Sequence, residues 1–160
     1  MKILLAIDGS PCSEAAVNEV VTRPWPARSE IRIVSAFEVP LSPTPEAWSI
    51  SSEYFEQMER VAREQAQAVV KAAATKVGAR VDQTISVTTG VLIGSPRSAI
   101  LEESQDWKAE LIVMGSHGYG PWHRFLLGSV SQAVVSHAKC SVEVVRCSEP
   151  GDSEKVVKAA

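Results

Sequence analysis

Leu111-Ile112-Val113-Met114-Gly115-Ser116-His117-Gly118-Tyr119-Gly120-Pro121-Trp122-His123-Arg124-Phe125-Leu126-Leu127-Gly128-Ser129 is the stretch on which the reading of the fold turns. Its start is a short apolar run, its middle is rich in glycine, and it leads into Val130-Ser131-Gln132-Ala133-Val134-Val135, which patterns as a helix. A strand, a glycine loop and a helix start in that order have a physical use. Glycine lets the backbone come close to a ligand, and unpaired N–H groups at a helix start attract anions, phosphate above all. A plainer reading has the glycines shaping a loop while Ser129 caps the helix and Gln132 completes a capping box. The loop alone leaves both open, so its surroundings decide.

Immediately upstream, Gly94-Ser95-Pro96 places a cap and a proline before a helix with Ala99, Ile100 and Ser104 inward, ending near Gln105. Downstream, Val142 to Arg146 alternates as an edge strand would, and Ser148 to Ala160 is a polar tail. Further back, Phe55, Met58, Ala62, Ala66, Val69, Ala73 and Val77 share one face of a long helix over 52–77, with Gly78 as its stop. The partial alternation of Val81 to Val87 predicts a strand near the sheet edge, and the Pro- and Ser-rich segment from Pro40 to Ser52 reads as an irregular flap.

At the amino terminus, Ile3-Leu4-Leu5-Ala6-Ile7 is apolar without alternation, the pattern of a central strand covered on both faces. Asp8-Gly9-Ser10-Pro11 ends it and opens a helix, with Ser10 as N-cap, Pro11 at the first helical position and Ala16, Val17, Val20 and Val21 inward until Pro24. Ile31 to Phe37 supplies the second strand. Five strands alternating with four helices describe an α/β fold: an open, doubly wound, five-stranded parallel sheet with helices on both faces. Such sheets bind ligands at the carboxyl ends of their strands, where the strand order reverses. Asp8 and Gly115 each follow a strand. If strands one and four flank the reversal, Asp8 faces the glycine loop.

The 160 residues suit one folded domain over 1–147 followed by a tail over 148–160. Net charge is −3 with Lys and Arg scattered, so the basic footprint of a nucleic-acid binder is missing and no nucleic-acid partner is expected. The first apolar run ends at Asp8, too short for a signal peptide, and no segment is long enough to span a bilayer, so no membrane partner is expected. Cys12, Cys140 and Cys147 are odd in number and lack zinc or redox spacing; they read as small core residues and a spare thiol, in keeping with a reducing cytoplasm.

These residues together resemble the universal stress protein family, in its ATP-binding branch. That branch is marked by Gly, two residues, Gly, nine residues, Gly and then Ser or Thr, a pattern Gly115, Gly118, Gly128 and Ser129 fit without a gap. Ile3 to Ser10, Gly94 with Pro96, and the closing run from His137 to Arg146 add to the likeness, although Ser141 stands where the family usually has proline. The resemblance implies a strand order of 3-2-1-4-5, a homodimer paired through the last strands, and ATP in the crevice with magnesium or manganese bound through its phosphates. By position, Ala6, Asp8 and Ala36 would face adenine and ribose. Gly115, Ser116, His117 and Gly118 would wrap the ribose and first phosphates, and Gly128, Ser129, Val130 and Ser131 would meet the outer phosphates. Residue chemistry agrees: Asp8 can accept from nucleoside hydrogens, Ser129 and Ser131 can donate to phosphate, and His123 and Arg124 could pair with phosphate oxygens.

The motif is neither a P-loop nor a dinucleotide fingerprint, since no Gly-Lys-Ser/Thr follows a strand and Gly9 stands alone after strand one. No catalytic set can be argued from the sequence. The favoured expectation is therefore an ATP-binding regulatory or stress-response protein. The alternatives are a slow ATPase or autokinase working through Ser129 or Ser131, and a nucleotide-free dimeric interaction module.

Overall fold

The computed structural model describes residues 1–38, 52–118 and 127–147. The flap expected from Pro40 to Ser52 falls outside them except at its last residue, as do the loop holding His123 and Arg124 and the tail from 148. The elements run β1 (Lys2–Ala6), α1 (Pro11–Thr22), β2 (Glu30–Phe37), α2 (Ser52–Gly78), β3 (Ser86–Ile93), α3 (Pro96–Asp106), β4 (Leu111–Gly115), α4 (Ser129–His137) and β5 (Ser141–Val145). All strand pairs are parallel, in the order β3-β2-β1-β4-β5. This is the doubly wound sheet expected from the sequence pattern, in the strand order that the family resemblance implies.

The unbroken apolar run of β1 follows from its place at the centre. Ile3, Leu5 and Ile7 turn to one face, where Ala16, Val17 and Val20 of α1 and Val70, Ala73 and Val77 of α2 cover them. Leu4 and Ala6 turn to the other, against Ile100 of α3 and Val134 of α4. Helices thus close both faces, and β1 has no side that could tolerate a polar residue.

Local signals explain most boundaries. Ser10 caps α1 by accepting from the Ser13 N–H at 3.3 Å, with Pro11 in the first turn as read from the sequence. Beyond the last turn of α1, Arg23 reaches across to β5, donating from Nη1 and Nη2 to the two Glu143 carboxylate oxygens, each at 2.6 Å, and from Nη2 to Glu19 at 2.6 Å. The expected stripe on α2 is buried at Ala66, Ala73 and Val77, but Val70 takes the inward place expected of Val69, which is half-buried, and Met58 is 36% exposed.

One strand differs from expectation. The run from Val81 to Val87 is not the third strand, which begins only at Ser86. The N–H groups of Arg80 and Val81 still donate to the Val77 carbonyl, winding out the helix end. Asp82 then forms a turn, accepting from the Thr84 N–H through its carboxylate at 2.8 Å and from the Ile85 N–H through its carbonyl at 2.9 Å. The strand proper, Ser86-Val87-Thr88-Thr89-Gly90-Val91-Leu92-Ile93, is rich in β-branched Val, Thr and Ile and lies at a sheet edge.

Candidate functional site: a crevice at the reversal of strand order

The strand order reverses between β1 and β4, and a cavity of about 260 Å³ opens there at their carboxyl ends. Every candidate residue named from the sequence that falls among the described residues lines it: Ala6 at the end of β1 and Asp8 after it, Ala36 on β2, Gly115 to Gly118 leaving β4, and Gly128 to Ser131 entering α4. Ile7, Ser13, Pro96, Ile100 and Met114 also line it and were not singled out. Of these, Met114 and Ile7 were legible as neighbours of Gly115 and Ala6. Pro96 and Ile100 were not, because only the folded sheet brings the start of α3 over the same crevice.

Ser116 joins the walls of this cavity. It is 2% exposed, and its N–H donates to the Val145 carbonyl of β5 at 2.8 Å. Its own carbonyl accepts from the Gly128 N–H and from the Ser131 hydroxyl, both at 2.8 Å. The two ends of the glycine loop are thereby held together across the residues between them. The Ser116 hydroxyl lies 3.1 Å from His117 Nδ1 and 3.8 Å from the sulfur of Cys12. His117 Nε2 is buried and has no hydrogen-bond partner among the described residues.

The glycines have distinct local reasons. A side chain on Gly115 would stand 2.6 Å from the Cys12 carbonyl carbon and 2.8 Å from Ser13 N, so Gly115 is what lets the start of α1 lie directly on β4. A side chain on Gly118 would meet Asp8 Oδ2 at 2.6 Å. Asp8 accepts from the Ser10 N–H through Oδ1 at 2.9 Å, so one oxygen shapes the turn after β1 while the other faces Gly118. A side chain on Gly128 would press on the Ser116 carbonyl at 3.2 Å.

The start of α4 departs from the capping-box reading. Gly128, not Ser129, is the N-cap, and no side chain caps the helix. Without a side-chain acceptor at the cap, the first-turn amides of Ser129, Val130 and Ser131 keep their donor capacity for a ligand, with the helix field behind them. The Ser131 hydroxyl is different: it is turned to the Ser116 and Gly128 carbonyls at 2.8 and 2.9 Å, so its one hydrogen serves the loop and only its main-chain N–H is left as a donor. Cys12 and Cys147 are paired as a disulfide, which corrects the expectation that they are unpaired, while Cys12 does lie in the core and Cys140 is a free thiol. No spacing rule could have found a pair 135 positions apart.

An open parallel sheet with a crevice at the reversal of its strand order puts the chain in the doubly wound α/β class. The model of the universal stress protein family matches residues 1–146, and the chain belongs to that family. A relative from Staphylococcus epidermidis that carries the universal stress protein name is 32% identical over 148 residues, covering 92% of this chain and 84% of that one. The universal stress protein UspA from Lactobacillus plantarum has the same fold, with a TM-score of 0.74 at 22% identity over 91% of this chain and 97% of that one. So has an Arabidopsis thaliana family member with AMP bound, with a TM-score of 0.60 at 15% identity over 95% and 97% of the two chains. A universal stress protein in complex with cAMP has a TM-score of 0.55 at 21% identity over 92% and 98%. No helix among the described residues is long and apolar enough to cross a membrane.

Proposed function

We propose that the chain is an adenine-nucleotide-binding universal stress protein that takes ATP in this crevice and acts as a nucleotide-dependent regulator of a stress response. The observation that carries the reading is one cavity whose lining joins two opposite chemistries. The α4 amides have no side-chain cap, and a carboxylate oxygen of Asp8 is left over from its turn. Phosphates suit the first and nucleoside hydroxyl or amino hydrogens the second. His117 Nε2, buried and without a partner among the described residues, is a further polar atom that a ligand would satisfy. AMP in one protein of this fold and cAMP in another support the adenine class.

In this reading Ala6 and Ala36 give adenine a shallow apolar seat, and Asp8 takes the ribose. The Ser116 to Gly118 backbone wraps the ribose and first phosphates, while Ser129 and the α4 amides take the outer ones. Magnesium or manganese enters with the nucleotide, held by phosphate oxygens. Residues 1–147 make up the binding domain, the protein works in the cytoplasm, and two copies pair through β5.

Native mass spectrometry of the purified chain, followed by calorimetry with ATP, AMP and cAMP, tests the proposal. An adenine nucleotide carried through purification, or saturable uptake with ATP bound most tightly, supports it. A chain that carries nothing and takes up nothing at millimolar ATP overturns it.

A further inference from the structure

Cys12 and Cys147 approach with Cα atoms 4.6 Å apart, within the span a disulfide bridges. Cys12 lies in the first turn of α1 and is 5% exposed, while Cys147 is half-buried just past the end of β5. Both ends of this pair bear on Ser116. The Cys12 sulfur is 3.8 Å from the Ser116 hydroxyl, and the Ser116 N–H is bonded to the carbonyl of Val145, two residues before Cys147. Ser116 in turn holds Gly128 and Ser131 through its carbonyl. The sulfur pair is therefore one residue removed from the junction that shapes the crevice.

We propose that Cys12 and Cys147 are a reversible thiol–disulfide site, oxidised by low-molecular-weight disulfides, whose closed form firms the Ser116 junction and raises the affinity of the crevice for its nucleotide. The affinity part rests on the function proposed above; the redox site itself does not. Cys147, the more accessible sulfur, attacks the external disulfide and releases one small thiol, forming a mixed disulfide. Cys12, in the first turn of α1, then attacks the Cys147 sulfur and releases the second. Two protein thiols and one small disulfide give one protein disulfide and two small thiols; the electrons and hydrogens lost by the protein reduce the external S–S bond. In a reducing cytoplasm such a bond is transient, which suits a sensor and not a permanent brace. Cys140 takes no part: it packs with the cluster on the opposite face of the sheet, and burial pushes its thiol up.

The coupling works by pre-organisation. With the bond closed, the residues after β5 and the first turn of α1 cannot separate, and Ser116 between them keeps both loop ends in register. With it open, that junction rests on hydrogen bonds alone, and a ligand must spend part of its binding free energy ordering it.

The test equilibrates the full chain across glutathione to glutathione-disulfide ratios, with wild type, Cys147→Ser and Cys140→Ser compared. Peptide mapping by mass spectrometry reads the cross-link, amide exchange reads residues 115–118 without ligand, and calorimetry reads ATP affinity. Expected are a Cys12–Cys147 peptide in wild type and Cys140→Ser, faster exchange at 115–118 on reduction, and ATP affinity roughly fivefold or more weaker on reduction. Cys147→Ser should show none of these responses. Absence of the cross-linked peptide at every ratio overturns the site. A cross-link that changes neither exchange nor affinity overturns the coupling. If exchange responds to the bond but no redox state takes up any adenine nucleotide, the redox site stands and the nucleotide reading falls.

Discussion

Gly115 and Gly118 belong to one motif but answer to different neighbours. Gly115 is pressed by the backbone of Cys12 and Ser13, which cannot move without lifting α1, whereas Gly118 is pressed only by the Asp8 carboxylate. Gly115→Ala should therefore destabilise the fold by about 1–3 kcal/mol, measured as a lower urea midpoint, since overpacking forces a backbone shift. Asp8→Asn keeps an oxygen for the Ser10 N–H and removes the charge, so the turn should survive while adenine-nucleotide affinity falls by about 1.5–3 kcal/mol in calorimetry. Equal affinity in the two proteins would remove Asp8 from the site. The chemistry of Asp8 was legible because a carboxylate after a buried strand declares itself by residue type. The demand on Gly115 was not, because which backbone comes to lie on it is decided by the packing of α1.

Among elements, α4 and β5 carry the sharpest expectations. Gly128 starts α4 while packed on the Ser116 carbonyl, so Gly128→Val should part the two loop ends and abolish nucleotide uptake. Calorimetry reads the loss, and circular dichroism should show the helices retained. Glu143 fastens β5 to Arg23 beyond the end of α1 with two short bonds, in a pair about a third exposed. Glu143→Gln should cost on the order of 1 kcal/mol after allowing for solvent screening, measured by chemical denaturation. Bonding to Glu143 and then Glu19 raises the Arg23 pKa above its ordinary value. A raised basic group contributes fully below its ordinary pKa and loses its share only above it, so the wild-type advantage should stay flat from neutral to mildly alkaline pH. The elements themselves were legible wherever a cap or an unbroken apolar run marked them, as at Ser10-Pro11 and Ile3 to Ile7. β3 was misplaced because Asp82 bends the chain into a turn that alternation alone does not reveal.

At the scale of the molecule, the parallel sheet and its two-faced cover followed from repeated strand-helix units, since right-handed crossovers leave few arrangements for such a chain, whereas the strand order came from the family resemblance. β5 ends the sheet on one side. Because the Val145 carbonyl is bonded to Ser116 toward β4, strand alternation turns the peptide groups of Val144 outward. Val144→Pro should thus spare the β4 pairing yet block a second copy from adding along this edge, converting the proposed dimer to a monomer in analytical ultracentrifugation. A variant that sediments as the parent does would place any self-association elsewhere.

The sulfur bridge has a thermodynamic reach beyond the crevice. Its partners stand 135 positions apart, so a closed bond makes most of the denatured polypeptide a ring. By chain-entropy reckoning such a ring loses freedom worth on the order of 4–5 kcal/mol, a gain for the native form that no bound molecule is needed to deliver. Oxidant exposure would then lengthen the lifetime of each molecule against proteases, setting abundance by the same chemical event that tunes occupancy.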